Sequence, residues 1–146
     1  MTYSFLNINC TIAGPGGILN LAAGAAAAEE GITIEAVEDK NVMTIGADGK
    51  GQHSLIASDA VTLTVRLLKT SPLNEGLMKM YNAQSVTSSL WGVNTFTIVD
   101  SVRNDYTVIQ QAAFKKRPTL TYAKEAGIME WVFDGIAANS LLGSGQ

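Results

Sequence analysis

The chain has 146 residues, of which 47% are hydrophobic and 16% charged, and its formal net charge is −3. This length predicts one domain, residues 1–146, and the composition excludes a disordered chain and a strongly basic nucleic-acid-binding protein. The charged fraction lies well below the roughly 25% of an average soluble domain. Either the core is large, or other subunits cover part of the surface, because the centres of interfaces are depleted in charge.

Cys10 and His53 are the only residues of their types. This excludes an intrachain disulfide and the usual cysteine-rich or histidine-rich metal sites. Cys10 has apolar neighbours in an alternating pattern, which indicates a small buried side chain. His53 follows a glycine-rich stretch without a G-x-S-x-G motif, so a loop or interface position is favoured over catalysis. With no signal peptide and no apolar run of about 20 residues, we expect a soluble protein. Since the sequence has no catalytic or metal-binding pattern, we expect no enzyme activity, metal or cofactor.

Alternation of apolar and polar residues with a period of two predicts that strands dominate the chain. Val61–Leu67 is the clearest example, and glycine, asparagine and aspartate separate the runs as turns require. The predicted strands, in chain order, are Phe5–Cys10, Ile32–Glu35, Val61–Leu67, Thr95–Val99, Tyr106–Phe114, Thr119–Ala123 and Ile128–Asp134.

One segment departs from this period and predicts a helix over about residues 72–84. Ser71 is suited to the N-cap and Pro72 to the first helical position. The predicted apolar stripe is Leu73, Leu77, Met80 and Tyr81, and the opposite face is Asn74, Glu75, Lys79 and Asn82. A last helical turn is predicted at Asn139–Gly143, whereas the alanine-rich segment Leu21–Glu30 leaves helix and non-helix open.

These elements predict a mainly β fold, a β-sandwich or barrel with one flanking helix and a long extended hairpin at about residues 31–46. The edge strands of such a sheet carry unpaired N–H and C=O groups, and few charges protect them here. An edge without protective charge is suited to pairing with another chain.

Two charge clusters and one glycine-rich loop are further candidates for a functional site. Gly46–Gly51 lacks the order of a phosphate loop and the acids of a calcium loop, so it is interpreted as a turn. The basic run Lys115-Lys116-Arg117 lacks interleaved aromatic residues and indicates a solvated or subunit-pairing patch. The acidic cluster consists of Glu29, Glu30, Glu35, Glu38 and Asp39. None of these features predicts catalysis, which favours a structural or assembly role.

The order of short motifs along the chain resembles the tail tube proteins of contractile-tailed bacteriophages. The likeness runs nearly end to end and lies in the order and spacing of the motifs. They are Tyr3-Ser4-Phe5-Leu6, Gly14-Pro15-Gly16-Gly17, Ala28–Ile34, Glu38-Asp39-Lys40-Asn41, Gly46-Ala47-Asp48-Gly49, Val65–Pro72, Tyr81-Asn82-Ala83-Gln84, Ala113-Phe114-Lys115-Lys116, Tyr122-Ala123-Lys124 and Glu130-Trp131-Val132-Phe133.

The resemblance implies a subunit of hexameric rings that stack into the inner tube of a contractile tail. It implies as partners further copies of the chain, the tail sheath, the tape-measure protein and DNA in the channel, the baseplate and the tail terminator, with no membrane. It also implies a virion protein that is assembled in the cytoplasm of the host bacterium. Type VI secretion tubes share this fold, so a tube of a related secretion or injection system is an alternative.

Roles for the charged residues follow from this resemblance as hypotheses. The hairpin, with a tip near Glu38–Asn41, is expected to reach the adjacent ring. Glu35 is expected to face the channel, because a cation-lined channel would retain DNA. Lys115, Lys116 and Arg117 are expected to face outward, toward the sheath or a neighbour. The residues predicted to contact other subunits are Glu29, Glu30, Glu38, Asp39, Lys40, Asn41, Asp48 and Lys50.

Two further classes remain open. In a small-ligand-binding β-barrel, Trp91, Trp131 and Tyr122 would line a cavity, although core or interface positions explain them more simply. A hydrolase would have to use His53 together with Ser54, Ser58 or Asp59.

Overall fold

The computed structural model describes residues 8–21, 27–125 and 127–143. In the described part, nine strands and one α-helix follow one another along the chain. The strands are β1 Ile8–Gly14, β2 Gly17–Asn20, β3 Ala27–Ala36, β4 Asn41–Ile45, β5 Gly51–Leu55, β6 Val61–Leu68, β7 Asn94–Asp100, β8 Asp105–Phe114 and β9 Ile128–Leu141, and the helix α1 is Leu73–Gln84. The prediction of a mainly β fold with one flanking helix is confirmed.

Seven strands form one antiparallel sheet in the order β2-β1-β7-β8-β9-β6-β3, and β4 and β5 form a separate two-stranded hairpin. The large sheet is strongly curved. Phe96 on β7 and Phe133 on β9 have ring centroids 4.7 Å apart, although β8 lies between their strands. Phe96 pairs with Ile109 and Phe133 with Phe114, which are five residues apart on β8, so in a flat sheet the Cα atoms of the two phenylalanines would be about 19 Å apart. The sheet therefore encloses its own core, as a sandwich or barrel does.

The core lies between the inner side of this sheet and α1. The alternation of β6 places Val61, Leu63, Val65 and Leu67 inside, as predicted. Phe114, Trp131 and Phe133 form a cluster of ring contacts with centroid distances between 4.7 and 6.0 Å. Cys10 is fully buried, and this burial raises the pKa of its thiol to about 12. The thiol therefore behaves as a small apolar group.

The helix begins one residue later than predicted, so Pro72 is the N-cap residue and not the first helical residue, and Ser71 precedes the cap. Ser71 Oγ accepts the backbone N–H of Leu73 at 3.3 Å. Leu77 and Met80 are buried and Leu73 and Tyr81 pack against the core, which confirms the apolar stripe. Gly76 lets β2 approach the helix, because a Cβ there would lie 2.9 Å from the side chain of Leu19.

Asn74 corrects the predicted polar face of the helix. It is buried, and its Oδ1 accepts the indole N–H of Trp131 at 3.0 Å. Its Nδ2 donates to the carbonyl of Leu68 at 2.9 Å and of Lys69 at 3.3 Å. An amide can lie in a core when every one of its groups has a partner, which residue type alone does not reveal.

Two other local predictions are wrong. Residues 119–123 are irregular instead of forming a strand, because Pro118 has no N–H to continue the ladder that ends at Lys115 N–H and Val132 O. Asn139–Leu141 extend β9 instead of forming a helical turn, since β8 offers partners as far as Tyr106. Ala27–Glu30 belong to β3, and the predicted residues Phe5–Asn7 lie outside the described part.

Candidate assembly surfaces

The hairpin of β4 and β5, Asn41–Leu55, is named the arm here. It continues the ladder of β3 and β6: Val37 N–H donates to Ala60 O at 3.1 Å, and Ile56 N–H donates to Lys40 O at 2.8 Å. The extended segment predicted at about 31–46 therefore forms one side of a long ribbon, and residues 51–68 form the other.

The tip of the arm is Gly46–Lys50, not Glu38–Asn41. Gly46 N–H donates to Lys50 O at 2.7 Å, and Asp48 Oδ1 accepts the N–H of Lys50 at 3.1 Å. Gly49 has φ +83°, a conformation that glycine adopts without strain. Glu38, Asp39 and Lys40 instead lie at the base of the arm, where Lys40 Nζ is 3.0 Å from Asp59 Oδ1. The chain does not reverse its direction at Glu38–Asn41, because the hydrogen bonds from Val37 to Ala60 and from Ile56 to Lys40 continue the ribbon through this segment.

The arm has one apolar side, and the described residues leave both of its sides uncovered. Every residue of β4 and β5 is exposed. The register places Met43, Ile45 and Leu55 on the same side, with exposed fractions of 61%, 56% and 80%. A two-stranded hairpin is marginally stable alone in water, and exposed apolar patches mark interaction sites. The arm is therefore suited to bind another protein surface.

The outer side of β3, β6 and β9 is named the polar face here. Thr62 Oγ1 donates to Asp134 Oδ1 at 3.4 Å, and Arg66 Nε is 3.6 Å from Glu130 Oε2. Glu35 lies opposite Thr62 in the ladder. The residues of the polar face are Thr33, Glu35, Thr62, Thr64, Arg66, Glu130 and Asp134. Its three carboxylates and one guanidinium make it acidic.

Lys69 and residues 115–125 form the third surface, named the basic end here. Lys115, Lys116 and Arg117 are exposed, and the guanidinium of Arg117 lies 5.6 Å from the ring centroid of Tyr81. Lys69 Nζ donates to Thr121 O and lies 4.2 Å from the ring centroid of Tyr122. These contacts hold an irregular segment in place with its cations at the surface.

The structure does not bring together the other residues that the sequence suggested for subunit contacts, catalysis or a ligand cavity. The backbones of Glu29 and Glu30 lie in β3, and their side chains fall outside the description. The His53 Nδ1 is 2.9 Å from the amide nitrogen of Asn41, whereas Asp59 pairs with Lys40. Trp131 is buried in the core, while Tyr122 is 84% exposed, so the aromatic residues proposed for a ligand cavity do not share one.

Among the described residues, no group of three or more His, Cys, Asp or Glu side chains could hold a metal ion. In the same ranges, no helix has the length and apolar character needed to span a membrane.

A family model described as the Bacteriophage PhiTE tail tube protein matches residues 1–143. The chain belongs to this family. Tail tube proteins are structural, so the chain is a structural component of a phage tail. The resemblance found in the sequence is thereby confirmed. No curated protein sequence matches the chain.

Solved structures of contractile injection systems share the fold of this tail tube protein. The extracellular contractile injection system PVC sheath-tube complex in the extended state gives a TM-score of 0.58 at 10% identity, covering 91% of this chain and 88% of that one. The tube-terminating cap of the anti-feeding prophage gives a TM-score of 0.55 at 7% identity, and the match covers 97% of this chain and 93% of that one. The PVC sheath/tube terminator in the extended state gives a TM-score of 0.55 at 9% identity, and the match covers 90% of this chain and 92% of that one. At such identities the likeness concerns the fold alone.

Proposed function

We propose that the chain, acting as one domain over residues 1–146, forms hexameric rings that stack into the inner tube of a contractile phage tail. The channel of this tube carries the genome during ejection. The observation that carries the proposal is the arm, a projecting ribbon whose apolar side has no cover among the described residues. Membership of the tail tube family supports it.

Contacts within a ring would use the edges of the large sheet. The sheet ends at β2 on one side and at β3 on the other, and β3 is a ten-residue strand. A long edge pairs readily with a strand of another chain, and pairing around a closed ring satisfies every edge. The low charge of the sequence fits a subunit with neighbours on several sides.

The polar face is the side that we propose for the channel wall, with Glu35 facing the channel. Its carboxylates outnumber its one guanidinium, and DNA binds more tightly with each phosphate that a cation neutralises. An acidic wall therefore lets DNA and the tape-measure protein pass without holding them. A cryo-EM map of the tube is expected to show Glu35 and Asp134 at the channel, whereas a channel lined mostly by Lys and Arg would contradict this assignment.

The outer side of the ring would face the tail sheath, and the ends of the tube would meet the baseplate and the tail terminator. The shared fold with tube and terminator proteins of injection systems supports these partners. We place the finished protein in the virion and its assembly in the cytoplasm of the host bacterium. The same fold also suits the tube of a related injection machine, and adjacent genes for a capsid rather than for a toxin cargo would favour the phage tail.

Negative-stain microscopy of the purified protein tests the proposal directly. We expect rings with six-fold class averages and tubes of constant diameter. A chain that stays monomeric at high concentration, and also in the presence of the sheath and baseplate proteins encoded beside it, would contradict the proposal.

A further inference from the structure

We propose that the arm of one copy docks on the basic end of a second copy. This inference rests on the proposed function, because it names the surface that receives the arm in a stacked tube. The contact then joins two different surfaces, the arm of one copy and the basic end (the acceptor surface) of the next, so successive copies all point the same way. Apolar area, charge and position within the fold support it independently.

The acceptor has an exposed apolar centre beside its cations. Leu68 and Ile128 are opposite each other at the end of the β6–β9 ladder and are 40% and 50% exposed. Leu120 and Tyr122 lie in the irregular segment and are 47% and 84% exposed. Leu120 and Ile128 line a pocket of about 80 Å³ together with Lys69. A side chain from the apolar side of the arm would have apolar partners here.

The charges around these two apolar surfaces are complementary. Residue Lys69 and residues 115–125 contribute five cations and one carboxylate, Glu125. The arm with its base, residues 37–60, contributes four carboxylates and two lysines, and the ion pair between Lys40 and Asp59 leaves three carboxylates and one lysine. An apolar centre with a rim of opposite charges is the usual arrangement of a specific protein interface. A second copy of this chain carries the required surface, so no other partner has to be assumed.

The positions of the two surfaces explain why such a contact would build a stack. The arm precedes the first residue of β6, and Lys69 follows the last. Eight residues of strand separate them by about 25 Å. A contact between surfaces at opposite ends of one strand is head-to-tail, and such contacts propagate instead of closing a two-fold dimer.

Charge reversal tests the docking in the full chain. Lys116→Glu combined with Lys124→Glu makes the acceptor acidic, and we expect the protein concentration needed for tubes to rise about tenfold or more. Glu38→Lys combined with Asp39→Lys in the same chain should restore tubes. The matched control is Lys79→Glu on the exposed side of α1, which should assemble normally.

Cross-linking gives a second measurement that does not require tubes. A Met43→Cys chain is mixed with a Tyr122→Cys chain and treated with a short bifunctional thiol reagent, while a mixture with Asn82→Cys serves as the control. A heterologous cross-link through positions 43 and 122, absent for position 82, supports the docking. Cys10 is buried and does not compete.

The outcomes separate the docking from the proposed function. Wild-type tubes, normal tubes of the Lys116→Glu and Lys124→Glu chain and no cross-link would overturn the docking and leave the tube function standing. Neither rings nor tubes, together with no cross-link, would overturn both. A cross-link without tubes would support the docking while contradicting the tube function.

Discussion

Asn74 holds the start of the helix to two parts of the sheet. Its amide oxygen accepts the indole N–H of Trp131, and its amide nitrogen donates to the carbonyl of Leu68, the last residue of β6, and to that of Lys69, which follows β6. A helical pattern assigns residues to faces by polarity, so it places an asparagine outside. The partner that makes burial favourable lies 57 residues away, on β9. Such a pairing depends on tertiary contacts and could not be predicted from local sequence.

Replacing Asn74 by alanine is expected to destabilise the fold. The buried N–H of Trp131 would lose its acceptor, which costs about 1–3 kcal/mol. Urea unfolding measures the change in the free energy of unfolding, with Asn82→Ala on the exposed side of the helix as the control. In a chain that also carries Trp131→Phe, the effect of Asn74→Ala should be smaller. Equal effects in both backgrounds would show that the hydrogen bond does not contribute.

Cys10 predicts a dependence of stability on alkaline pH. Its pKa is raised to about 12 in the folded chain by burial, from an ordinary value of 9.0. Between these values the folded chain keeps a proton that the unfolded chain releases, so stability is full below about pH 9 and falls as pH rises toward 12. The slope from this one group approaches about 1.4 kcal/mol per pH unit. Urea unfolding of wild type and Cys10→Ala from pH 8 to 11 should give a steeper decline for wild type, and parallel curves would contradict the assignment.

At the scale of elements, strands and helix follow from residue periodicity, while the arm does not. The sequence predicts an extended segment at about 31–46 with its tip near Glu38–Asn41 and, separately, a turn at Gly46–Gly51. The predicted turn is present, but it is this turn, at Gly46–Lys50, that forms the tip of the arm. Asp, Lys and Asn are compatible both with a turn and with an irregular stretch inside a ribbon. The partner strand, residues 51–55, has no apolar alternation because neither side of it is buried in the chain itself. Periodicity reports burial, so it fails where the covering surface belongs to another molecule.

The arm is expected to be dispensable for folding and required for assembly. Met43→Asp combined with Leu55→Asp makes its apolar side acidic without touching the core, since both residues are exposed. The free energy of unfolding should change by less than about 0.5 kcal/mol, as for surface substitutions. Microscopy should show no tubes. Gln52→Asp with Ser54→Asp on the opposite side is the control, and equal loss in both chains would argue against an apolar contact.

The end of the helix is joined to the sheet by a buried amide pair. Gln84 and Asn94 exchange two hydrogen bonds of 2.7 Å, and Gln84 also donates to Pro15 O at 2.9 Å. Gln84→Met is expected to cost about 2–4 kcal/mol, because it leaves the amide of Asn94 without a partner in the core. Adding Asn94→Leu should recover part of this loss in a double-mutant cycle followed by urea unfolding. Additive losses would exclude the coupling.

At the scale of the whole molecule, charge is segregated along the strands. The basic end follows β6, and the acidic base of the arm precedes it. The sequence shows both charge clusters, but their positions at opposite ends require the topology. The low charged fraction found in the sequence agrees with a surface that is largely interface.

Assembly is therefore expected to weaken with salt. At 1 M salt the Debye length is about 3 Å against about 10 Å at 0.1 M, so attraction between unlike ends is screened. Sedimentation should show a higher critical concentration for tubes at 1 M than at 0.1 M sodium chloride. The chain with Lys116→Glu and Lys124→Glu should lose this dependence or invert it. Stronger assembly of wild type at high salt would indicate that apolar contacts outweigh the charges.

The place of β6 in the sheet has a mechanical consequence. It is hydrogen-bonded along its whole length to β9 through eight residue pairs and along much of its length to β3. A pull between the arm and Lys69 runs parallel to β6 and perpendicular to those hydrogen bonds. The load is then shared by both ladders at once instead of opening them pair by pair. A strand held in this shear geometry resists stretching, which suits a tube subunit that has to keep its length under load.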